Sequence, residues 1–170
     1  MSNCDGREIE IDVSGLGIIL YSPRHAAHIA EGFDYLRSSY RTLKQVQAHL
    51  QDGTIVAFYT GSPGIFFLTL HDGPPPTNRL SQCEFKLQLG LHCAGGQVNF
   101  RDLYDLMRWT SECPAEQTAQ MLDGYYQVTL CSEMPESSII GNNQSIDIYF
   151  EARNAPSELC FPSGGPHLCY

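Results

Sequence analysis

Three residues of metal-ligating type recur at a helical spacing near the start of the chain. His25, His28 and Glu31 are each three positions apart, so on a helix they would lie along one face. Such a face could offer ligands to zinc, but a zinc site also needs ligands from other elements. Exposed helical histidines explain the same spacing, and the sequence therefore predicts no metal site and no cofactor.

Candidate nucleophiles are numerous but lack the neighbours that activate them. The chain has seven cysteines and six histidines, without the flanking signature of a cysteine protease and without a Gly-x-Ser-x-Gly elbow. Residues 61–64, Gly-Ser-Pro-Gly, lie between two strand-like segments and are typical of a turn. Gly15 and Gly17 lack the third glycine of a dinucleotide fingerprint. We therefore predict that the protein is not an enzyme and has no catalytic residue.

Carboxylates and aromatic residues between positions 102 and 136 form the more prominent pattern. General acid–base chemistry needs two carboxylates that face each other in different environments, which sequence neighbours do not establish. A solvated face explains these acids, and a protein-binding surface with aromatic anchors and an acidic rim explains them as well. The predicted partner-binding residues are Asp102, Tyr104, Asp105, Trp109, Glu112, Glu116, Glu133 and Glu136.

The charge balance narrows the class of partner. Nineteen Asp and Glu against ten Lys and Arg give a formal net charge of -9. This charge repels nucleic-acid phosphates and favours encounter with a basic protein surface, although it also serves solubility. The predicted partner is a basic protein and neither nucleic acid nor a membrane; the oligomeric state stays open.

Period-two alternation indicates that most of the chain is in strands. In residues 8–13 two isoleucines and a valine alternate with three acids, and in residues 83–91 one face carries Phe85, Leu87, Leu89 and Leu91. The second pattern predicts that these four side chains face the core. Further strands are predicted at residues 18–21, 54–60, 65–71, 97–100, 125–132 and 144–152.

Turn and helix signals complete the layout. The strands at 54–60 and 65–71 are expected to form a hairpin, and the prolines within 72–78 an extended connection. Two short helices are predicted within residues 25–50, the second capped by Thr42, and helical turns at 102–109 and 114–122. The fold class is mainly β, an antiparallel β-sandwich with two or three short helices inserted. Residues 1–152 form a single domain and 153–170 an irregular tail.

The cysteines and the N-terminus indicate a reducing compartment. An odd number of cysteines without a Cys-x-x-Cys pair predicts free thiols, with a Cys160–Cys169 bridge only under oxidation. The first residues lack the basic and apolar regions of a secretory signal. The apolar runs at 16–21 and 65–70 are far shorter than the ~20 residues of a membrane helix. We expect a cytoplasmic protein.

The order of these segments resembles that of the bacterial competence-associated nuclease inhibitor and of related immunity-type proteins. The segments that carry the resemblance are IEIDVSGLGIILYS, GTIVAFYTGSPGIFFLTL, DGYYQVTLCS and SIDIYFEA, within residues 8–152. The resemblance implies a small β-sandwich that binds and blocks a toxic enzyme, such as a nuclease. The chain departs from that pattern in the insertion at residues 101–122 and in the tail, which puts the identity of the target in doubt.

The sequence is therefore compatible with two classes of function. An immunity or inhibitor protein that occludes a bacterial toxin should present a contiguous acidic and aromatic patch without a deep polar pocket. A hydrolase or small-ligand domain should present a concave site with a histidine hydrogen-bonded to a carboxylate or a cysteine. A scaffolding sandwich module would share the features of the first class.

Overall fold

Two β-sheets that enclose one hydrophobic core make up most of the protein. The computed structural model describes residues 4–162 and 164–168. The strand order is β1-β4-β9-β8-β5 in the larger sheet and β3-β2-β6-β7 in the smaller one, which confirms the sandwich. The strands of the larger sheet are β1 (Glu8–Val13), β4 (Gly64–Asp72), β5 (Phe85–Cys93), β8 (Gly124–Ser132) and β9 (Gln144–Arg153). Those of the smaller sheet are β2 (Gly17–Tyr21), β3 (Ile55–Tyr59), β6 (Gln97–Asp102) and β7 (Thr118–Gln120).

The helices are short and lie outside the sheets. Thr42 caps the longest helix, as predicted, and forms a reciprocal capping box with Gln45. The α-helices of the described residues are α1 (Pro23–Ala26), α2 (Tyr35–Ser39), α3 (Leu43–Asp52) and α4 (Thr77–Gln82), and the 3₁₀-helices are Leu103–Arg108, Ala115–Gln117 and Pro156–Glu158. None of the helices in this part of the chain has the length and apolar composition needed to span a bilayer.

The alternating segments face the core as their sequence predicts. In β1 the isoleucines and the valine are buried and the three acids are exposed. In β5, Leu87, Leu89 and Leu91 are buried, and Phe85 packs at the margin of the core. Tyr126 is buried whereas its neighbour Tyr125 is only partly covered, because adjacent residues of a strand point to opposite faces.

The hairpin predicted for β3 and β4 is wrong. β3 pairs with β2 in the smaller sheet, whereas β4 pairs with β1 and β9 in the larger one. The loop between β3 and β4 carries the chain across the sandwich, and it packs so closely that a Cβ at Gly64 would collide with the backbone of Gly141. A Gly-Ser-Pro-Gly loop suits an inter-sheet crossing as well as a hairpin, and strand periodicity does not distinguish the two.

Three further details differ from the sequence-based expectation. β4 and β9 are parallel, so the larger sheet is not purely antiparallel. The helix expected at 114–122 is one 3₁₀ turn followed by β7, which pairs with β6. The extended connection after β4 gives way to α4, whose Arg79 bonds to Asp147 of β9. These elements are held by partners distant in sequence, which local patterns do not reveal.

The segment after β9 lies against the sandwich. Leu159 and Leu168 are buried, and Leu168 belongs to the main core. Tyr59 N donates to Pro166 O at 2.7 Å and Leu168 N donates to Tyr59 O at 3.0 Å, so this segment lines the edge of β3. The candidate Cys160–Cys169 bridge lies partly outside the described residues, because Cys169 is not among them.

Truncation of the β5 core residues should destabilise the fold according to their burial. Leu89 is fully buried, so we expect Leu89→Ala to lower the free energy of unfolding by about 2–5 kcal/mol. Leu87 lies at the margin of the core and should fall in the lower half of that range. Denaturant melts measure both, with exposed Gln88→Ala as the control, expected to stay within about 0.5 kcal/mol of wild type. Melts of Leu89→Ala and Gln88→Ala that coincide would contradict the burial.

The cysteines should all be reduced in the cell, and none should be reactive as a catalyst. Cys83, Cys93, Cys113, Cys131 and Cys160 form no disulfide with one another in the described part of the chain. Burial raises the pKa of Cys113 to about 11, and burial together with contact with Cys83 raises the pKa of Cys131 to about 12, so both remain thiols at neutral pH. We expect intact mass under non-reducing conditions to equal that of the fully reduced chain. We also expect iodoacetamide to modify exposed Cys160 well before the buried thiols. A mass lower by two hydrogens per bridge in fresh lysate would contradict this prediction.

Candidate partner-binding site

One buried carboxylate organises the end of the sandwich where the chain crosses between the sheets. Asp102, at the end of β6, accepts hydrogen bonds from Ser14 N at 2.8 Å, Ser14 Oγ at 2.7 Å and Gly15 N at 3.1 Å. Its other oxygen accepts from Tyr104 N at 3.1 Å, which starts the 3₁₀-helix Leu103–Arg108. Asp102 is therefore occupied by the loop that it holds and is not an available contact for a partner, contrary to the sequence-based prediction.

Backbone hydrogen bonds join this loop to two others. Thr60 N donates to Leu16 O at 2.8 Å, and Ile65 N donates to Gly141 O at 2.9 Å. We call the four segments that follow or precede the strands at this end of the sandwich the loop end. It consists of residues 14–16, 60–64, 103–108 and 133–143.

The loop end exposes large apolar side chains. Ile139 is 61% exposed, and Tyr104 and Met107 lie three positions apart on the 3₁₀-helix, where such residues align. Of the nine large hydrophobic residues that are exposed in the described part of the chain, five lie here: Leu16, Tyr104, Met107, Met134 and Ile139. Met107 lines a cleft with Leu36 of α2, and Met134 lines a cleft with Arg79 of α4, so the five side chains are spread over this end of the protein. Sequence analysis missed four of the five, although an apolar residue between two glycines, such as Leu16, is itself a signal of an exposed loop contact.

Asp105 has a structural partner. Arg101 is buried, and its Nε donates to Asp105 Oδ2 at 2.8 Å while its Nη1 donates to Thr110 O at 2.6 Å. Loss of the Asp105 carboxylate would leave the Arg101 guanidinium without its counter-ion in a desolvated site. Asp105 remains partly exposed, but its carboxylate is paired with Arg101 within the protein.

Trp109 is not at the surface. It is only 2% exposed, its ring packs edge-on against Tyr21 with centroids 5.3 Å apart, and Arg101 lies over its face at 5.0 Å. The ring is therefore not an exposed anchor in this structure, in contrast to the arrangement that the sequence suggested. The physical reason is that its bulk closes the core beneath the 3₁₀-helix.

The remaining predicted acids fall into two groups. Glu112 is exposed beside an open cleft that Asp105 also lines, and Glu116 is exposed on the 3₁₀-helix Ala115–Gln117. Glu133 and Glu136 line a different cleft of about 460 Å³, in which Arg79 Nη1 binds Glu133 Oε1 at 3.1 Å. The structure therefore brings Asp105 near Glu112, and Glu133 near Glu136, without joining all the acids in one patch.

A histidine bonded to a carboxylate lies next to the second cleft. His71 Nε2 is 3.0 Å from Asp147 Oδ1, and the His71 ring stacks on Tyr149 with centroids 4.4 Å apart. Asp147 also binds Arg79 Nη2 at 2.7 Å. In the described residues no serine, threonine or cysteine bonds to His71, so this dyad has no nucleophile of its own.

The residues considered for a metal lie apart. His25 Nε2 is 3.1 Å from His92 Nδ1, His28 packs against Tyr35, and Glu31 accepts from Ser111 N at 2.7 Å. Burial, and next the neighbouring His92, lower the pKa of His25, which favours its neutral form. Within residues 4–162 and 164–168, no three ligand side chains converge as a metal site requires.

Comparison with known proteins identifies the fold. No protein-family model matches the chain, and no curated protein matches it in sequence. ComJ, an inhibitor of the DNA degrading activity of NucA from Bacillus subtilis, is similar with a TM-score of 0.51 and 10% identity, over 86% of this chain and 95% of ComJ. The structure described as crocagin biosynthetic gene J is similar with a TM-score of 0.54 and 12% identity, over 85% of this chain and 96% of its own. At these identities the likeness concerns the fold alone, and it confirms the resemblance of layout to the nuclease inhibitor.

Proposed function

We propose that the chain is an inhibitor of the immunity type, which binds a bacterial toxin, such as a nuclease, and occludes its surface. The observation that carries this proposal is the fold shared with ComJ, an inhibitor of a DNA-degrading activity, over 86% of the chain. The loop end supports it, because large apolar side chains are exposed there, and Glu136 is exposed there without an ion pair in the described residues. In this proposal the protein acts in the cytoplasm, where an unblocked toxin would harm the host.

The charge of the chain suits a target of this class. A nuclease holds a polyanion, so its active-site surface must attract phosphate groups. A protein of net charge -9 is attracted by the same surface and competes with the nucleic acid. Inhibition then requires no catalysed reaction by this protein. It requires only an interface that covers the active-site cleft of the enzyme.

The predicted contact residues differ in their exposure to solvent. We retain Tyr104, Glu112, Glu116, Glu133 and Glu136 as partner contacts and add Leu16, Met107 and Ile139, because all eight are exposed. Asp102 and Trp109 are buried and are left out, and Asp105 contributes mainly through Arg101. The proposed contacts therefore include exposed apolar side chains and exposed acids, the residue types of the core and the rim of a protein interface.

Charge reversal at two exposed acids should weaken inhibition without unfolding the protein. We expect the double variant Glu112→Lys/Glu136→Lys to associate with the toxin about tenfold more slowly at low salt and with a weaker salt dependence. Neither carboxylate is bonded to a basic side chain in the described residues, so the melting temperature should not change. Stopped-flow association and a survival assay that co-expresses the toxin candidate from the neighbouring gene measure the effect.

A control double variant separates the effect of charge at the proposed interface from the effect of the net charge of the protein. Asp52→Lys/Glu158→Lys changes the net charge by the same amount at exposed positions outside the loop end. Equal survival with both double variants and wild type would move the interface elsewhere. Absence of rescue, together with absence of a complex with any neighbour-encoded protein, would contradict the immunity function.

One observation favours the alternative of a hydrolase or small-ligand domain. The His71–Asp147 bond beside a polar cleft is the feature that this alternative requires. If it were correct, His71→Ala would abolish hydrolysis of a p-nitrophenyl ester or phosphate. Because the dyad lacks a bonded nucleophile, we expect wild type and His71→Ala to give the same background rate. Turnover by wild type that His71→Ala loses would overturn the inhibitor proposal in favour of an enzyme.

A further inference from the structure

The outer edge of β1 presents unpaired backbone groups. Leu70 N donates to Arg7 O at 2.9 Å, and the register from Glu8↔Thr69 onward continues this ladder. In an antiparallel ladder alternate residues bond to the neighbour, so Ile9, Ile11 and Val13 bond to β4. The N–H and C=O groups of the three residues between them therefore point away from the sheet. These residues are Glu8, Glu10 and Asp12.

No other backbone segment in the described part of the chain forms hydrogen bonds with that edge. No hydrogen bond joins the backbone of Glu8, Glu10 or Asp12 to another segment on its outer side. The 3₁₀-helix Ala115–Gln117 contacts β1, but its bond is with the side chain of Arg7, whose Nη2 donates to Ala115 O at 3.0 Å. The edge thus resembles the exposed edges to which other proteins add a strand.

The side chains along this edge determine which side chains an added strand should carry. Glu8, Glu10 and Asp12 are all exposed and point to the outer face of the sheet. Phe67, directly opposite Glu10 in the register, is 37% exposed on the same face. A cationic side chain placed here would lie between carboxylates and near an aromatic ring, two interactions that favour lysine and arginine.

We propose that β1 accepts an extended, basic segment of the partner protein as a sixth strand of the larger sheet, antiparallel to β1. Its backbone bonds to Glu8, Glu10 and Asp12, and its alternate lysine or arginine side chains lie over the carboxylates and Phe67. The identity of the partner rests on the proposed inhibitory function. The strand addition itself follows from the edge.

The same carboxylates disfavour pairing of β1 with β1 of a second copy of the chain. If β1 paired antiparallel with itself, Glu10 would face Glu10 of the copy, and Glu8 would face its Asp12. Like charges directly opposite each other destabilise a strand pair. The edge therefore repels its own copy and accepts a strand of opposite charge.

A peptide experiment tests strand addition separately from inhibition. The probe is a short, end-blocked peptide in which three lysines alternate with valines. We expect amide NMR of the full chain to show protection of the Glu8, Glu10 and Asp12 amides from hydrogen exchange when the peptide is added. Glu10→Lys should weaken binding at least about tenfold, whereas Asp52→Lys should leave it unchanged.

Two matched peptides test the direction of the hydrogen bonds. The lysine N–H groups would point to β1 and the valine N–H groups to solvent, because the lysines share a face with the acids. N-methylation of the lysines should therefore abolish binding, and N-methylation of the valines should preserve it. Equal binding by both peptides, no binding of the parent peptide, or a dimer of the chain formed through β1 would each overturn the proposal. The survival assay with the toxin would still decide the inhibitory function.

Discussion

The loop end depends on the carboxylate of Asp102. Its oxygens accept bonds from the backbone of Ser14, Gly15 and Tyr104, so one side chain fixes both the crossing from β1 to β2 and the start of the following 3₁₀-helix. A buried carboxylate is tolerated only when donors satisfy it, and these donors are backbone groups that would otherwise lack partners. Gly15 is needed at this point, since a Cβ there would lie 2.7 Å from both Asp102 Oδ1 and the Tyr104 ring.

The acids of this chain serve two purposes, and the sequence does not separate them. Asp102, Asp105 and Asp147 hold internal donors, whereas Glu112 and Glu136 are exposed to solvent without a bonded basic side chain in the described residues. The partners of the first group come from segments up to 88 residues away, so sequence neighbours gave no sign of them. The position of Trp109 was unpredictable for the same reason, because an aromatic residue suits an interface and a core equally well. The acidic, loop-borne character of the candidate site was predictable, but its exposed apolar side chains were not.

The strands were predictable from the sequence where one face is buried and the other is exposed to solvent, because apolar and polar residues then alternate. β1, β5, β8 and β9 alternate or carry β-branched and aromatic residues, and their bounds match the predicted segments within two residues. β3 is almost wholly buried, so its pattern contains no information about its partner, and the prediction assigned it to the strand next in sequence. α4 has little apolar periodicity and is held by the bond of Arg79 to Asp147, 68 residues away. Local sequence therefore predicts which segments are strands, but it does not determine which strands pair with each other.

The central strand of the larger sheet is also the last to be synthesised. β9 lies between β4 and β8 and is the only link between the β1–β4 pair and the β8–β5 pair in the described sheet. Until β9 leaves the ribosome, these two pairs are separate ribbons, each with an unpaired edge that β9 later fills. The nascent chain therefore passes through a stage at which it is most exposed to aggregation, and completion of the sandwich is a late, non-local step.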